Sequence, residues 1–245
     1  IDEKGSDALF INHPENNGIT KNLNSALPFI KGMYYQFVGC EDILFPDKIE
    51  KQVQLLEADP KTAVVYSDMQ LMEPDGTRWK QTHYQYYTDE VPVNGNIYSS
   101  LIYKCFITTP SVLMRTQVLK ECGGDNELLD INDYDFWIRA SKKFGFLYHD
   151  DVTVLYRVMP DSLSRRGGII RFKNNFLVFY LNYDKRKQYR AVFDRRLLYN
   201  IKNLASNDFK YTGEYAIKAF AKTKDWYYLY LCLRYFKLFF TGVEK

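Results

Sequence analysis

The chain has 245 residues, 46% of them hydrophobic and 26% charged, so it can bury a full core and is not a disordered chain. No apolar run reaches the ~20 residues that a membrane-spanning helix needs. Net charge is only +3, yet residues 171–245 carry 16 Lys and Arg against 6 Asp and Glu, and residues 1–170 carry 17 against 24. An acidic body with a basic, aromatic tail is expected to meet different partners at its two ends.

Residues 8–13 read as a short buried strand, and Asn16-Asn17-Gly18 as a turn. Ile19, Leu23, Leu27 and Ile30 recur at helical spacing, and Gly32 stops that helix. Met33 to Val38 reads as a second strand, running into the polar cluster Gly39-Cys40-Glu41-Asp42. Pro46 suits a first helical turn, and the helix after it is expected to turn Ile49, Val53 and Leu56 inward. Thr62 to Ser67 reads as a strand buried on both faces.

Glu73-Pro74-Asp75-Gly76 is a turn signal, and residues 77–100 are polar, Tyr-rich and without a clear period. Ile107 to Met114 reads as a strand, Gln117 to Glu121 as a short helix ended by Gly123-Gly124, and Asp133 to Lys143 as an amphipathic helix. Leu147–Tyr148 and Val152–Val158 read as the last strands. Alternating strands and helices imply an α/β layered domain with a mostly parallel sheet. Ligands of such sheets sit outside the carboxyl ends of the strands.

From residue 168 the pattern is helical. Lys and Arg among aromatics suit an anionic membrane surface; a solvated helical face is the alternative. Trp226 to Phe240 would span ~23 Å as a helix, short of the ~30 Å hydrocarbon core, so it would lie in a membrane interface or pack on the body. Cys40, Cys105, Cys122 and Cys232 form no CxxC and no Cys/His metal spacing. They are expected to be thiols of a reducing, cytoplasmic compartment.

Three places carry candidate chemistry. Glu41 and Asp42 follow a strand, where carboxylates can hold a divalent cation shared with phosphate oxygens or simply face a helix N-terminus. Asp133 opens a helix within Asn132-Asp133-Tyr134-Asp135, where it can act as a general base or cap the helix. Tyr156-Arg157 leads into a run of hydroxyls and arginines that can fold over an anion or form an ordinary boundary loop.

The order of these pieces resembles family 2 glycosyltransferases, inverting enzymes with the GT-A fold. The matching stretches are residues 15–27, 34–57, 63–76, 109–124, 132–146 and 156–165. The resemblance implies a GT-A-like domain over residues 1–167 and a helical basic, aromatic region over 168–245. It implies a nucleotide-diphosphate sugar donor and a glycan or lipid-linked acceptor of the cell envelope, with no nucleic-acid partner. By resemblance Asp133 is the catalytic base. Asn16, Lys21, Asn24, Glu41, Asp42, Thr109, Ser111 and Arg157 bind the nucleotide sugar, and Glu41 and Asp42 hold Mg²⁺ or Mn²⁺.

Gly39 stands where the family has its first metal-site Asp, and Met159 where a His is common, so the metal site is thin. Nothing here matches the family's first strand and nucleotide-binding turn, and the chain is expected to be an N-terminally incomplete domain. A peripheral contact with the inner face of a membrane through 171–245 is the matching expectation for the tail. A non-catalytic relative that binds glycans or sugar nucleotides, and a nucleotidyltransferase, are the alternative readings.

Overall fold

The computed structural model describes residues 9–87, 92–130, 133–160, 162, 167–207 and 209–241. Its spine is a parallel pair of long strands, β3 (Thr62–Met72) and β6 (Gly145–Arg157). β3 is buried along almost its whole length because Val64, Val65, Tyr66, Met69, Leu71 and Met72 face packed layers on both sides. β6 begins at Gly145 because the chain there passes against Lys61; a Cβ would lie 2.5 Å from the Lys61 carbonyl oxygen.

Shorter strands flank this pair. β1 (Tyr34–Tyr35) pairs with β5 (Leu113–Arg115), β5 pairs with β3, and β2 (Ile43–Leu44) closes the other edge on β6. β4 (Arg78–Thr82) pairs with the second half of β3. Every pairing except β3–β6 is antiparallel. The expected mostly parallel sheet is therefore corrected to a mixed one. The two- and three-residue strands show an apolar run in sequence, but nothing in that run encodes direction.

Other expectations shift too. Residues 9–13 form no strand, and Leu9 and Phe10 stay exposed. Residues 107–111 hold a 3-10 turn (Thr109–Ser111) rather than a strand, because Pro110 suits its first turn. The Tyr-rich stretch contains β4, α3 (His83–Tyr87) and α4 (Tyr98–Leu101). The last two strands are one, β6, with register shifts near Ser67–Asp68 of its partner.

α1 (Ile19–Ala26) precedes β1, and α2 (Lys48–Ala58) lies against β3. The buried face of α2 is Lys48, Gln52 and Leu56, so Ile49, expected inward, is instead exposed. α5 (Thr116–Cys122) ends on Gly123 in the left-handed conformation. α6 (Asp133–Ser141) buries Phe136, Trp137, Ile138 and Ala140.

Four further helices, α7 (Ile169–Leu181), α8 (Lys187–Asn207), α9 (Phe209–Thr223) and α10 (Trp226–Thr241), follow. Much of the tail's aromatic excess is core. Phe176, Phe179, Phe193, Tyr215 and Tyr228 share one buried cluster with Tyr66, Trp137 and Phe146 of the body. Phe179 packs edge-on against Tyr134 at the start of α6. Among the described side chains of α10, the large apolar ones left exposed are Trp226, Tyr227, Tyr230 and Leu233. Among the described residues no helix is long and apolar enough to cross a membrane.

Candidate active site

β1 and β2 lie at opposite edges of the sheet, so the chain between them must cross it. β1 runs in the same direction as β3, because both are antiparallel to β5. Residues 36–42 therefore cross the sheet from the level of Val64 in β3 to the carboxyl end of β6, toward the side where open α/β sheets hold ligands. The 3-10 turn before β5 lies on this side as well. The Ser111 hydroxyl accepts from the Ser67 amide (3.1 Å) and the Thr108 hydroxyl donates to the Ser67 carbonyl (3.0 Å).

Asp133 stands at the first position of α6 beside this turn. Its Oδ2 accepts from the Thr109 hydroxyl at 3.2 Å and its Oδ1 from the Tyr134 amide at 2.8 Å. Burial pushes the carboxyl above its ordinary range, and the two hydrogen bonds pull it partly back. The carboxyl is desolvated, and the residue as a whole keeps part of its surface accessible. Tyr134 fixes the helix start, its hydroxyl donating to the Leu101 carbonyl at 2.8 Å.

Glu41 and Asp42 end the crossing segment. Asp42 Oδ1 accepts from the Arg157 amide at 2.9 Å. Burial, and then the charge of Glu41, raise the Asp42 carboxyl to about 6 against the pull of Arg157. Glu41 is exposed. The Arg157 guanidinium is engaged by carbonyls of Glu41 (3.1 Å), Glu73 (3.3 Å) and Pro74 (2.7 Å). It clamps the crossing segment to the turn after β3. Two adjacent carboxylates fit a divalent cation that takes its remaining ligands from water and substrate phosphate. Among the described residues no cluster of three or more His, Cys, Asp or Glu could cage one.

Asn16 and Lys21 line an open cleft of about 490 Å³ with Gly18, Thr20, Glu127, Leu129, Asp130 and Ile170. Thr20 ties α1 to that wall by donating to the Leu129 carbonyl at 2.9 Å. Asn24 is turned elsewhere: it donates to the Asp125 carbonyl (2.8 Å) and accepts from the Asp125 amide (2.9 Å), pinning the turn after α5. Ser111, the last residue of the 3-10 turn, is fully buried. The structure thus brings Thr109 to Asp133, and Arg157 to Glu41 and Asp42. Asn16 and Lys21 share a cleft, and Asn24 and Ser111 have structural partners. Asn132, Arg165 and Arg166 lie outside the described residues.

Two buried groups escaped the sequence reading. Asp135 is fully buried, accepting from Arg139 Nε (2.8 Å) and Asn182 Nδ2 (2.6 Å), and so joins α6 to the end of α7. Lys48 is also fully buried, bonded to Gln36 and Gln52. The signal for it was present: Lys48, Gln52 and Leu56 recur at i, i+4 and i+8.

The mixed α/β fold is of the GT-A kind. Two solved structures share the fold. The mannosyltransferase PcManGT of Pyrobaculum calidifontis, solved with GDP-Man and Mn2+, aligns at TM-score 0.50 and 15% identity over 93% of this chain and 61% of its own. S. aureus TarS aligns at 0.50 and 16% over 83% and 37%. The model of glycosyltransferase like family 2 matches residues 14–230, and the chain belongs to that family of glycosyltransferases. An uncharacterized glycosyltransferase of Methanocaldococcus jannaschii is 24% identical over 73% of this chain and 59% of its own length. One of Haemophilus influenzae is 26% identical over 69% and 61%. The chain spans less than two thirds of either relative.

Proposed function

We propose that the protein is an inverting glycosyltransferase that uses a nucleotide-diphosphate sugar, with Asp133 as general base. The observation that carries this reading is the Asp133 carboxyl, raised by burial and oriented by Thr109 and Tyr134. A base poised toward the working pH is the efficient kind. An acceptor hydroxyl within hydrogen-bond reach gives its proton to Asp133 as its oxygen bonds to the anomeric carbon. The bond from that carbon to the diphosphate oxygen breaks, and the nucleotide diphosphate leaves with the electron pair. Attack opposite the leaving group inverts the anomeric centre.

Asn16 and Lys21 would meet the nucleotide side of the donor, and Thr109 would stand near the transferred sugar. Glu41 and Asp42 would hold Mg²⁺ or Mn²⁺, which would supply positive charge against the leaving diphosphate. Arg157 and Ser111 act by position, holding the crossing segment and the 3-10 turn.

The catalytic part is assigned to residues 1–167 and the helical region to 168–245. The exposed Trp226, Tyr227, Tyr230 and Leu233 of α10 and the basic balance of 171–245 support docking on the anionic cytoplasmic face of a membrane. A lipid-linked or envelope glycan acceptor would be found there. Flotation with anionic liposomes at low salt is expected, and its absence would remove this part. Nucleotide release by the full-length protein across a panel of UDP-, GDP- and CDP-sugars, with and without Mn²⁺, tests the activity. One donor is expected to turn over, with inverted product by proton NMR; a retained configuration would overturn the mechanism.

A further inference from the structure

The crossing segment and the 3-10 turn are joined through one buried lysine. Lys48 lies in the first turn of α2 and is fully buried. Its Nζ donates to Gln36 Oε1 and, at 2.6 Å, to Gln52 Oε1. Gln36 Nε2 donates in turn to the Pro110 carbonyl (3.0 Å), and Gln52 Nε2 to the Ser111 carbonyl (2.9 Å). Pro110 and Ser111 follow Thr109, whose hydroxyl holds Asp133. Gln36 opens the segment that ends in Glu41 and Asp42. One ammonium therefore sits where the carboxylate-bearing crossover, α2 and the turn under Asp133 meet.

Such a group is unfavourable as a source of stability. A buried ammonium ordinarily has a carboxylate partner, and among the described residues no carboxylate pairs with Lys48. Burial draws it down to about 7. The nearby charges are turned elsewhere. His149 of β6, itself lowered by burial, faces Asp151 at 3.4 Å, and Lys51 bridges Asp47 and Asp151 on the outer side of α2. Apolar residues of similar volume often replace buried charges without loss of stability. What an apolar residue cannot do is bond two amide oxygens at once, as the Lys48 amino group can with two N–H donors when neutral and three when charged.

We infer that Lys48 is a positioning residue for the proposed transfer: through Gln36 and Gln52 it fixes the Thr109–Ser111 turn, and with it Asp133, relative to Glu41 and Asp42. The inference rests on Asp133 being the base. Lys48→Met leaves both glutamines without their shared donor and loosens the turn. The Thr109 hydroxyl favours the ionised Asp133 carboxyl, so a loosened turn raises the pH at which Asp133 titrates.

The test is a carboxyl ¹³C NMR titration of the full-length protein, with the Asp133 resonance assigned by its loss in Asp133→Asn. The Asp133 midpoint is expected to be higher in Lys48→Met than in the wild type. Turnover should fall about tenfold or more, since small misplacements cost that much, with donor KM little changed. An unmoved Asp133 midpoint beside altered thermal stability would overturn the inference and leave Lys48 a structural residue. Should Lys48→Met fail to fold, Gln36→Ala severs the Pro110 tie and keeps Lys48 bonded to Gln52. A smaller upward move is then expected, and no move overturns the inference. The titration needs no substrate, so its outcome is separate from that of the activity tests of Asp133.

Discussion

Lys48 predicts a pH dependence of stability that a single substitution removes. In the folded chain burial lowers the ammonium from its ordinary 10.5 to about 7. Between those values the unfolded chain binds more protons than the folded one, so stability rises with pH across that window. Below about 7 the folded chain also carries the charge, and this gain is absent. At 1.36 kcal/mol per unit, the difference of about 3.5 units corresponds to roughly 5 kcal/mol over the whole window, of which about 3 kcal/mol falls between pH 7 and 9.5. Other groups titrate there as well. Lys142 is lowered by burial, and the Cys105 and Cys122 thiols are raised by it. They are common to both chains and cancel in a comparison with Lys48→Met. Urea denaturation at pH 7.0, 8.0 and 9.5 should show the wild type gaining stability by about 2–3 kcal/mol more than the variant. Equal slopes in the two chains would refute the reasoning, because Lys48 would then keep its proton over the whole range.

Three other substitutions have defined outcomes. Thr109→Val removes a hydrogen bond to the ionised Asp133 carboxyl; the acid limb of kcat/KM should move to higher pH while the melting temperature changes little. Gly145→Ala brings a methyl to 2.5 Å from a backbone oxygen that cannot step aside. It should lower stability by about 1–3 kcal/mol, read from the urea midpoint. Asp135→Ala leaves Arg139 and the buried Asn182 without their carboxylate. A loss of about 3 kcal/mol is expected by thermal denaturation.

The elements with long, strongly patterned apolar runs were legible in sequence. β3 announced itself through Ala63-Val64-Val65-Tyr66, α6 through Phe136, Trp137 and Ala140, and the end of α5 through Gly123-Gly124. Strand direction was not legible, because β1, β2 and β5 are two or three residues long and their pairing is set by tertiary contacts.

The inward face of α2 differs from the expected one for a physical reason: the polar ends of Lys48 and Gln52 satisfy one another inside, and Ile49 is left exposed. The aromatic density of the tail pointed toward a membrane, and most of the described rings there instead fill the core behind Tyr134. Within the candidate site, Asp133, Glu41 and Asp42 were singled out by the order of the motifs, because an acidic residue at a strand or helix end alone fits a cap equally well. The tasks of Asn24, Ser111 and Arg157 were not, because amide, hydroxyl and guanidinium groups serve backbone carbonyls and substrates alike.

The most direct test of the central claim is nucleotide release by full-length Asp133→Asn, with donor and acceptor, beside the wild type. Asparagine keeps the shape of the site and cannot take the acceptor's proton. Acceptor-dependent release is expected to fall by about 100-fold or more at unchanged melting temperature. A rate equal to that of the wild type would contradict the account.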